Sequence, residues 1–207
     1  LASLRDLPGG DRRPIGKHLR LRPGGGLTLC DRAGLDYHGV VRPVEAGAVV
    51  VGVREKTPSN SEPRTFIRLY QALPKGDKLE LIVQKAVELG VAEIVPVLTE
   101  RCISRPAAKS MSKKLVRLEK IAVEAAKQSG RGRIPAVLPL ISYQEALVGM
   151  KTAPAAILFY EASTAPLSAL LDSATTEIAI MVGSEGGFSP AEITQAEALG
   201  ISVASLG

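Results

Sequence analysis

A chain in which Ile178-Ala-Ile-Met-Val182 runs without a polar residue and then breaks into Gly183-Ser-Glu-Gly-Gly187 has few ways to fold. Five consecutive apolar residues suit a strand covered on both faces, the environment of a parallel sheet flanked by helices. Beyond the glycines, Ser189 is a good N-cap, Pro190 falls at the first helical position where a missing N–H costs nothing, and Glu192 completes a capping box with Ser189. The segment is expected to be strand, loop, helix, and sheets of that class bind ligands at the carboxyl ends of their strands. The loop glycines permit positive φ and let a ligand approach the backbone closely. A tight turn that simply needs glycine is the plainer reading of the same residues.

The same grammar recurs upstream. A strand over 66–72 leads to Asp77, which with Glu80 marks a helix start; Leu79, Ile82, Val83, Ala86 and Val87 recur on one helical face, and Gly90 closes it. A strand over 94–98 completes a β-α-β unit that should cross right-handedly. From Ser112 a long helix is expected, with Leu115, Leu118, Ile121, Ala122 and Ala125 inward and Lys113, Lys114, Arg117, Lys120 and Lys127 mostly outward. Ser142 with Glu145 makes another capping box, 155–160 a buried strand, 165–171 a short helix, and 201–206 a final strand after Gly200 stops the helix that begins at Pro190. The predicted class is α/β.

Residues 1 to about 70 read differently. Short candidate strands over 27–30, 37–41 and 48–53, separated by glycines and prolines, have the spacing of a small barrel. The polar stretch Thr57-Pro-Ser-Asn-Ser-Glu-Pro63 reads as an exposed loop, and the boundary between two domains, 1–72 and 73–207, is placed near Leu73.

With 207 residues, 45% of them hydrophobic, the chain can bury a real core. The N-terminus lacks the basic-then-apolar pattern of a signal peptide and no apolar run is long enough to cross a bilayer, so a cytoplasmic location with no membrane partner is expected. Cys30, Cys102, His18 and His38 lack metal-ligand spacing, and no metal is expected. The charge is uneven: residues 101–133 hold ten Lys or Arg against two acidic residues, +8 in a chain whose net charge is +5, so the remainder is net acidic. Such clustering suits a polyanion whose counterions lysine and arginine displace, although a solvated helix face would look the same.

Three stretches together carry a more specific signal. The loop at 183–187 resembles the Gly-Pro-Glu-Gly-Gly motif of the RsmE-type family, with Ser184 in place of the usual proline. Lys75-Gly-Asp-Lys-Leu-Glu-Leu-Ile-Val-Gln-Lys-Ala-Val-Glu-Leu-Gly-Val91, continuing through Ile94-Val-Pro-Val97 into Thr99-Glu-Arg-Cys102, and Lys120-Ile-Ala-Val-Glu-Ala-Ala-Lys-Gln-Ser-Gly-Arg-Gly-Arg-Ile-Pro135 match the same family in the same order. Its members are SPOUT-class enzymes that methylate N3 of a uracil in small-subunit (16S) ribosomal RNA. The resemblance implies a PUA-like or OB-like RNA-binding barrel at the N-terminus and a trefoil-knotted α/β methyltransferase domain after it. It also implies a homodimer. In the family the Leu206-Gly207 pair opens a further cofactor loop, and the knot-forming segment follows it; the sequence ends at Gly207, before that segment.

From the same resemblance, S-adenosylmethionine is expected on backbone groups around Val182, Gly183, Ser184, Glu185, Gly186 and Gly187, with Leu206, Gly207, Leu158 and Tyr160. Arg131 is the candidate for stabilising an anion or phosphate, with Arg101 and Arg133 next. Glu185 is the candidate for orienting the cofactor or removing a proton; it could equally be satisfied by the N-terminus of the helix that follows. RNA contacts are expected from Lys17, Arg20, Arg22, Arg101, Lys113, Lys114, Arg117, Arg131 and Arg133. Glu100 and Arg101 could instead form a structural ion pair. The competing class is an inactive RNA-binding or ribosome-assembly protein; a dinucleotide-dependent oxidoreductase is disfavoured because the glycine loop does not follow G-x-G-x-x-G spacing.

Overall fold

The computed structural model describes residues 22–31, 34–42, 50–172 and 174–205. These form two compact units, Leu1–Glu62 with Gly130–Arg133, and Pro63–Ser129 with Ile134–Gly207.

In the first unit β1 (Gly26–Cys30), β2 (Leu35–Val41) and β3 (Val51–Pro58) form an antiparallel meander in the order β1-β2-β3. The register shifts between His38 and Gly39, where a bulge lets Val51 and Gly52 pack within reach of Gly39. β3 is longer than the sequence predicts, because Thr57 and Pro58, expected in a loop, pair with Asp36 and Leu35. Three strands are what the described residues show of the expected barrel. The loop Gly130–Arg133 joins this unit: Gly34 N–H donates to the Gly132 carbonyl, and the Cys30 thiol donates to the same oxygen at 3.0 Å.

The second unit is a parallel α/β layer structure. Its strands are β4 (Phe66–Ala72), β5 (Glu93–Leu98), β6 (Ala136–Val137), β7 (Ile141–Ser142), β8 (Ala155–Phe159), β9 (Glu177–Val182) and β10 (Ser202–Ala204). They lie in the order β10-β8-β9-β4-β5-β6, with β7 also pairing β5. The helices are α1 (Lys78–Glu88), α2 (Ala108–Gln128), α3 (Tyr143–Met150) and α4 (Pro190–Ala198). Strand alternation assigns each face. Leu69, Ile94 and Ile180 point to a core shared with Leu79 and Val83 of α1 and Leu118 and Ala122 of α2. Tyr70, Val95 and Met181 point the other way, to Tyr143 and Ala146 of α3 and Ile193 of α4. Both faces are covered, which is why Ile178–Val182 of β9 reads as an unbroken apolar run.

Several boundaries differ from expectation. β4 sits between β9 and β5 in the middle of this sheet, so the domain boundary expected at 72/73 moves back by one strand, to Glu62/Pro63. Sequence alone cannot assign a strand to a sheet when its partners lie 25 and 111 residues away. α2 begins at Ala108 rather than Ser112. Asp77 does occupy the N-cap of α1, but its side chain makes no capping bond. The helix expected over 165–171 is a single 3-10 turn, Leu167–Ala169. The capping boxes of α3 and α4 are present, with Ser142 and Ser189 each accepting from the N–H three residues on and Glu145 and Glu192 returning to the caps. Gly90 has φ +100, as the end of α1 requires.

Candidate functional site

Because the strands are parallel, the loops that follow β4, β5, β8 and β9 emerge at one edge of the sheet. β4 and β9 are adjacent, yet β4 leads to α1 on one face and β9 to α4 on the other. That divergence opens a crevice at the carboxyl ends of the two central strands, the usual ligand position in open α/β sheets. Gly183, Ser184, Glu185, Gly186 and Gly187 occupy it.

The loop is a tight turn in which Gly187 N–H donates to the Ser184 carbonyl at 2.9 Å. Gly187 has φ +64, and a Cβ there would lie 3.2 Å from the Glu161 carboxylate, so the loop after β8 reaches the loop after β9. On its other side a Cβ at Gly186 would lie 3.1 Å from Cβ of Arg101, whose Nη1 donates to the Gly186 carbonyl at 3.1 Å. Behind the loop, the buried amide of Gln71, at the end of β4, donates to the carbonyls of Ala72 and Gly183. Phe188 follows as a fully buried anchor, tilted against Tyr143.

Glu185 points across the crevice to the start of α1. Its carboxylate accepts from Lys78 Nζ at 2.7 Å and from Lys75 N–H at 3.2 Å. The Lys78 hydrogen bond, with those from backbone N–H groups, holds the Glu185 carboxyl down at about 2. Its partner is therefore the N-terminal edge of α1, not the helix that follows the loop. In this structure the Glu185 carboxylate is thus engaged by the start of α1, which fixes the glycine loop against that helix.

A second set of contacts ties the loop after β5 to α4. Glu192 is buried; Oε2 accepts from Ser189 N–H at 2.9 Å and Oε1 from Glu100 N–H at 2.8 Å. Ser189 Oγ donates to Glu100 Oε2 at 2.7 Å, closing the ring. Tyr143 donates its hydroxyl proton to the Glu192 carbonyl at 2.6 Å, and burial, then the Glu192 charge, push the Tyr143 phenol far above its ordinary value. The supposed Glu100–Arg101 ion pair is not what forms: each residue reaches instead to the segment after β9.

Arg131 lies in the first unit and is 8% exposed. Its Nη2 and Nε donate to the two carboxylate oxygens of Glu62, at 2.6 and 3.3 Å, and Glu62 also accepts from Arg133 N–H. Burial pushes the Glu62 carboxyl up, but the Arg131 bonds and charge and the backbone donors outweigh it and bring it below the ordinary range. The expected anion-binding guanidinium is thus held in a structural fork. Arg133 and Arg22 are exposed, while Lys17 and Arg20 lie outside the described residues.

On α2, Arg117 pairs with Glu80 at 2.7 Å and Lys114 donates to the Gly76 carbonyl at 3.1 Å, so two of the expected RNA contacts tether α2 to the start of α1. Lys109, Lys113 and Lys120 are exposed and remain directed to solvent. Of the expected cofactor residues, Val182 to Gly187 stand together at the crevice. The Leu158 side chain is fully buried in the core within β8, and Tyr160 follows the end of that strand. Leu206 and Gly207 lie outside the described residues. Glu161 closes the stretch 158–161 expected near the cofactor, whereas Gln71, Lys75, Lys78 and Glu192 were not singled out as site residues by sequence; a glutamine near the end of β4 was the one local signal for Gln71.

A doubly wound parallel sheet with a glycine loop braced from three sides at its central crevice defines a small-molecule-binding α/β protein. A family model described as an RNA methyltransferase domain matches residues 60–207. The chain is 32% identical over 182 residues to the ribosomal RNA small subunit methyltransferase E of Bacillus subtilis, covering 84% of this chain and 71% of that protein. With its counterpart from Mesomycoplasma hyopneumoniae it shares 36% over 153 residues, 74% of this chain and 66% of the relative. A crystal structure of ribosomal RNA small subunit methyltransferase E from Neisseria gonorrhoeae, bound to S-adenosyl methionine, superposes with a TM-score of 0.79 at 31% identity, covering 95% of this chain and 81% of that one. The chain belongs to the RNA methyltransferase family, among the ribosomal RNA small subunit methyltransferase E proteins.

Proposed function

We propose that the protein transfers a methyl group from S-adenosylmethionine to N3 of a uridine in 16S ribosomal RNA. What supports this is the braced glycine loop at the β4/β9 crevice, in a chain of this family. The residues fit the cofactor: glycines leave room where side chains would intrude, and the buried Ser184 hydroxyl has no hydrogen-bond partner among the described residues. The cofactor, when bound, supplies an electrophilic methyl on a sulfonium. Backbone groups of 182–187 and the strand end at Tyr160 hold it, and Glu185, locked to Lys75 and Lys78, fixes the loop that does so.

Transfer would break the S–CH3 bond, with S-adenosylhomocysteine as the leaving group, and release the N3 proton to solvent, and a fixed cation lowers the cost of the N3 anion. Arg101, poised on the glycine loop, is the residue we assign to that task in place of Arg131. The exposed lysines of α2 meet RNA phosphates. The β-meander is assigned as the described part of a PUA-like RNA-binding barrel, the second unit as the catalytic domain of a trefoil-knotted fold, and the active form as a cytoplasmic homodimer.

The test uses the full-length protein: calorimetric titration of S-adenosylmethionine, then transfer of a labelled methyl group to small-subunit RNA with mass spectrometry of the nucleosides. N3-methyluridine is the expected product. Cofactor binding without transfer to any small-subunit substrate would leave an RNA-binding or assembly protein instead.

A further inference from the structure

Ser184 Oγ is buried yet has no hydrogen-bond partner, alone in this respect among the described side chains. A buried hydroxyl without a partner is a standing cost, and protein structures carry few of them. The turn does not need it. Its backbone is closed by the Gly187 N–H to Ser184 carbonyl bond and by the Ser184–Gly187 bridge, neither of which uses the side chain. Alanine would fill the same space, and the motif this loop resembles carries proline there, which has no donor at all. The neighbours are already committed: Glu185 to Lys75 and Lys78, the Gly186 carbonyl to Arg101, and the Gly183 carbonyl to Gln71. The hydroxyl is the loop's one side-chain donor left over, on the loop that the proposed function assigns to the cofactor.

We infer that Ser184 Oγ donates a hydrogen bond directly to bound S-adenosylmethionine, a side-chain contact added to a loop that otherwise holds the cofactor through its backbone. This rests on the cofactor assignment above. The acceptors the ligand offers are its carboxylate and its ribose and adenine heteroatoms, any of which satisfies a hydroxyl donor. The contact makes an asymmetric demand. In the free protein the hydroxyl contributes nothing and its loss relieves a buried unpaired group; in the complex its loss removes a hydrogen bond.

The experiment compares full-length wild type with Ser184→Ala and Ser184→Pro, using S-adenosylhomocysteine as a non-reacting probe. Calorimetry gives its affinity, and thermal unfolding is followed with and without it. Ser184→Ala should bind about 3- to 10-fold more weakly, the range set by one hydrogen bond. Without ligand it should unfold at the same temperature as wild type or higher, so the two melting curves exchange order when probe is added. Ser184→Pro, with no donor, should bind no more tightly than Ser184→Ala. Equal affinity of wild type and Ser184→Ala would overturn the contact, as would a lower melting temperature of unliganded Ser184→Ala, since the hydroxyl would then already be paired. A wild-type protein that fails to bind either S-adenosyl compound would overturn the cofactor assignment itself, and this contact with it.

Discussion

Replacing Glu192 should do more damage than its place on a nine-residue helix suggests. The carboxylate is buried and each oxygen accepts one backbone N–H, from Ser189 at 2.9 Å and from Glu100 at 2.8 Å. Removing a charged acceptor from a buried donor costs about 1.5–3 kcal/mol for each bond. Glu192→Ala should therefore destabilise the second unit by roughly 3–5 kcal/mol. Glu192→Gln keeps one oxygen but turns an NH2 group toward the other N–H, so roughly half that loss is expected. The Tyr143 hydroxyl bonds the Glu192 carbonyl and survives both changes. The protein has no tryptophan, so urea titration should be followed by far-UV circular dichroism. At a slope of roughly 2 kcal/mol per molar urea, the alanine variant should move the midpoint by about 2 M. Combining it with Glu100→Ala should cost less than the sum, because both changes break one ring of contacts. A shift under about 0.5 M for Glu192→Ala would mean that water restores both N–H groups, refuting the view that this carboxylate fastens the loop after β5 to α4.

Gly187→Ala adds a Cβ at φ +64 and 3.2 Å from the Glu161 carboxylate, so a loss of about 1–2 kcal/mol and weaker cofactor binding are expected, read by thermal unfolding and calorimetry. Glu62→Gln leaves the buried Arg131 guanidinium short of its charge partner and should cost about 3 kcal/mol, while a Glu62→Met, Arg131→Met pair should cost less than either single change. Because the folded-state Glu62 carboxyl is lowered from 4.5, its stabilisation is complete above that pH and fades as the pH falls below it; Glu62→Gln should flatten that acid limb of the stability profile. Charge reversal at Lys109, Lys113 and Lys120 together should weaken RNA binding and reduce its salt slope by about one per lysine, measured by filter binding at several salt concentrations, and leave S-adenosylmethionine affinity unchanged.

Much of the local structure was legible because its causes are local. The apolar run over Ile178 to Val182, the glycines after it, and the boxes at Ser142 and Ser189 specify strand, turn and helix starts through contacts a few residues apart. The order of three motifs along the chain was enough to place it in its family. What sequence could not give was partnership. Whether β4 joins the meander or the parallel sheet, whether Glu185 serves α1 or α4, and whether Arg131 meets a ligand or Glu62 are each decided by residues 25 to 111 positions away. A carboxylate carries the same charge wherever the chain puts it, and only the tertiary structure sets which donor lies within 3 Å. That choice pairs Glu185 with Lys78 and Arg131 with Glu62, and leaves one buried hydroxyl, on Ser184, without a partner among the described residues.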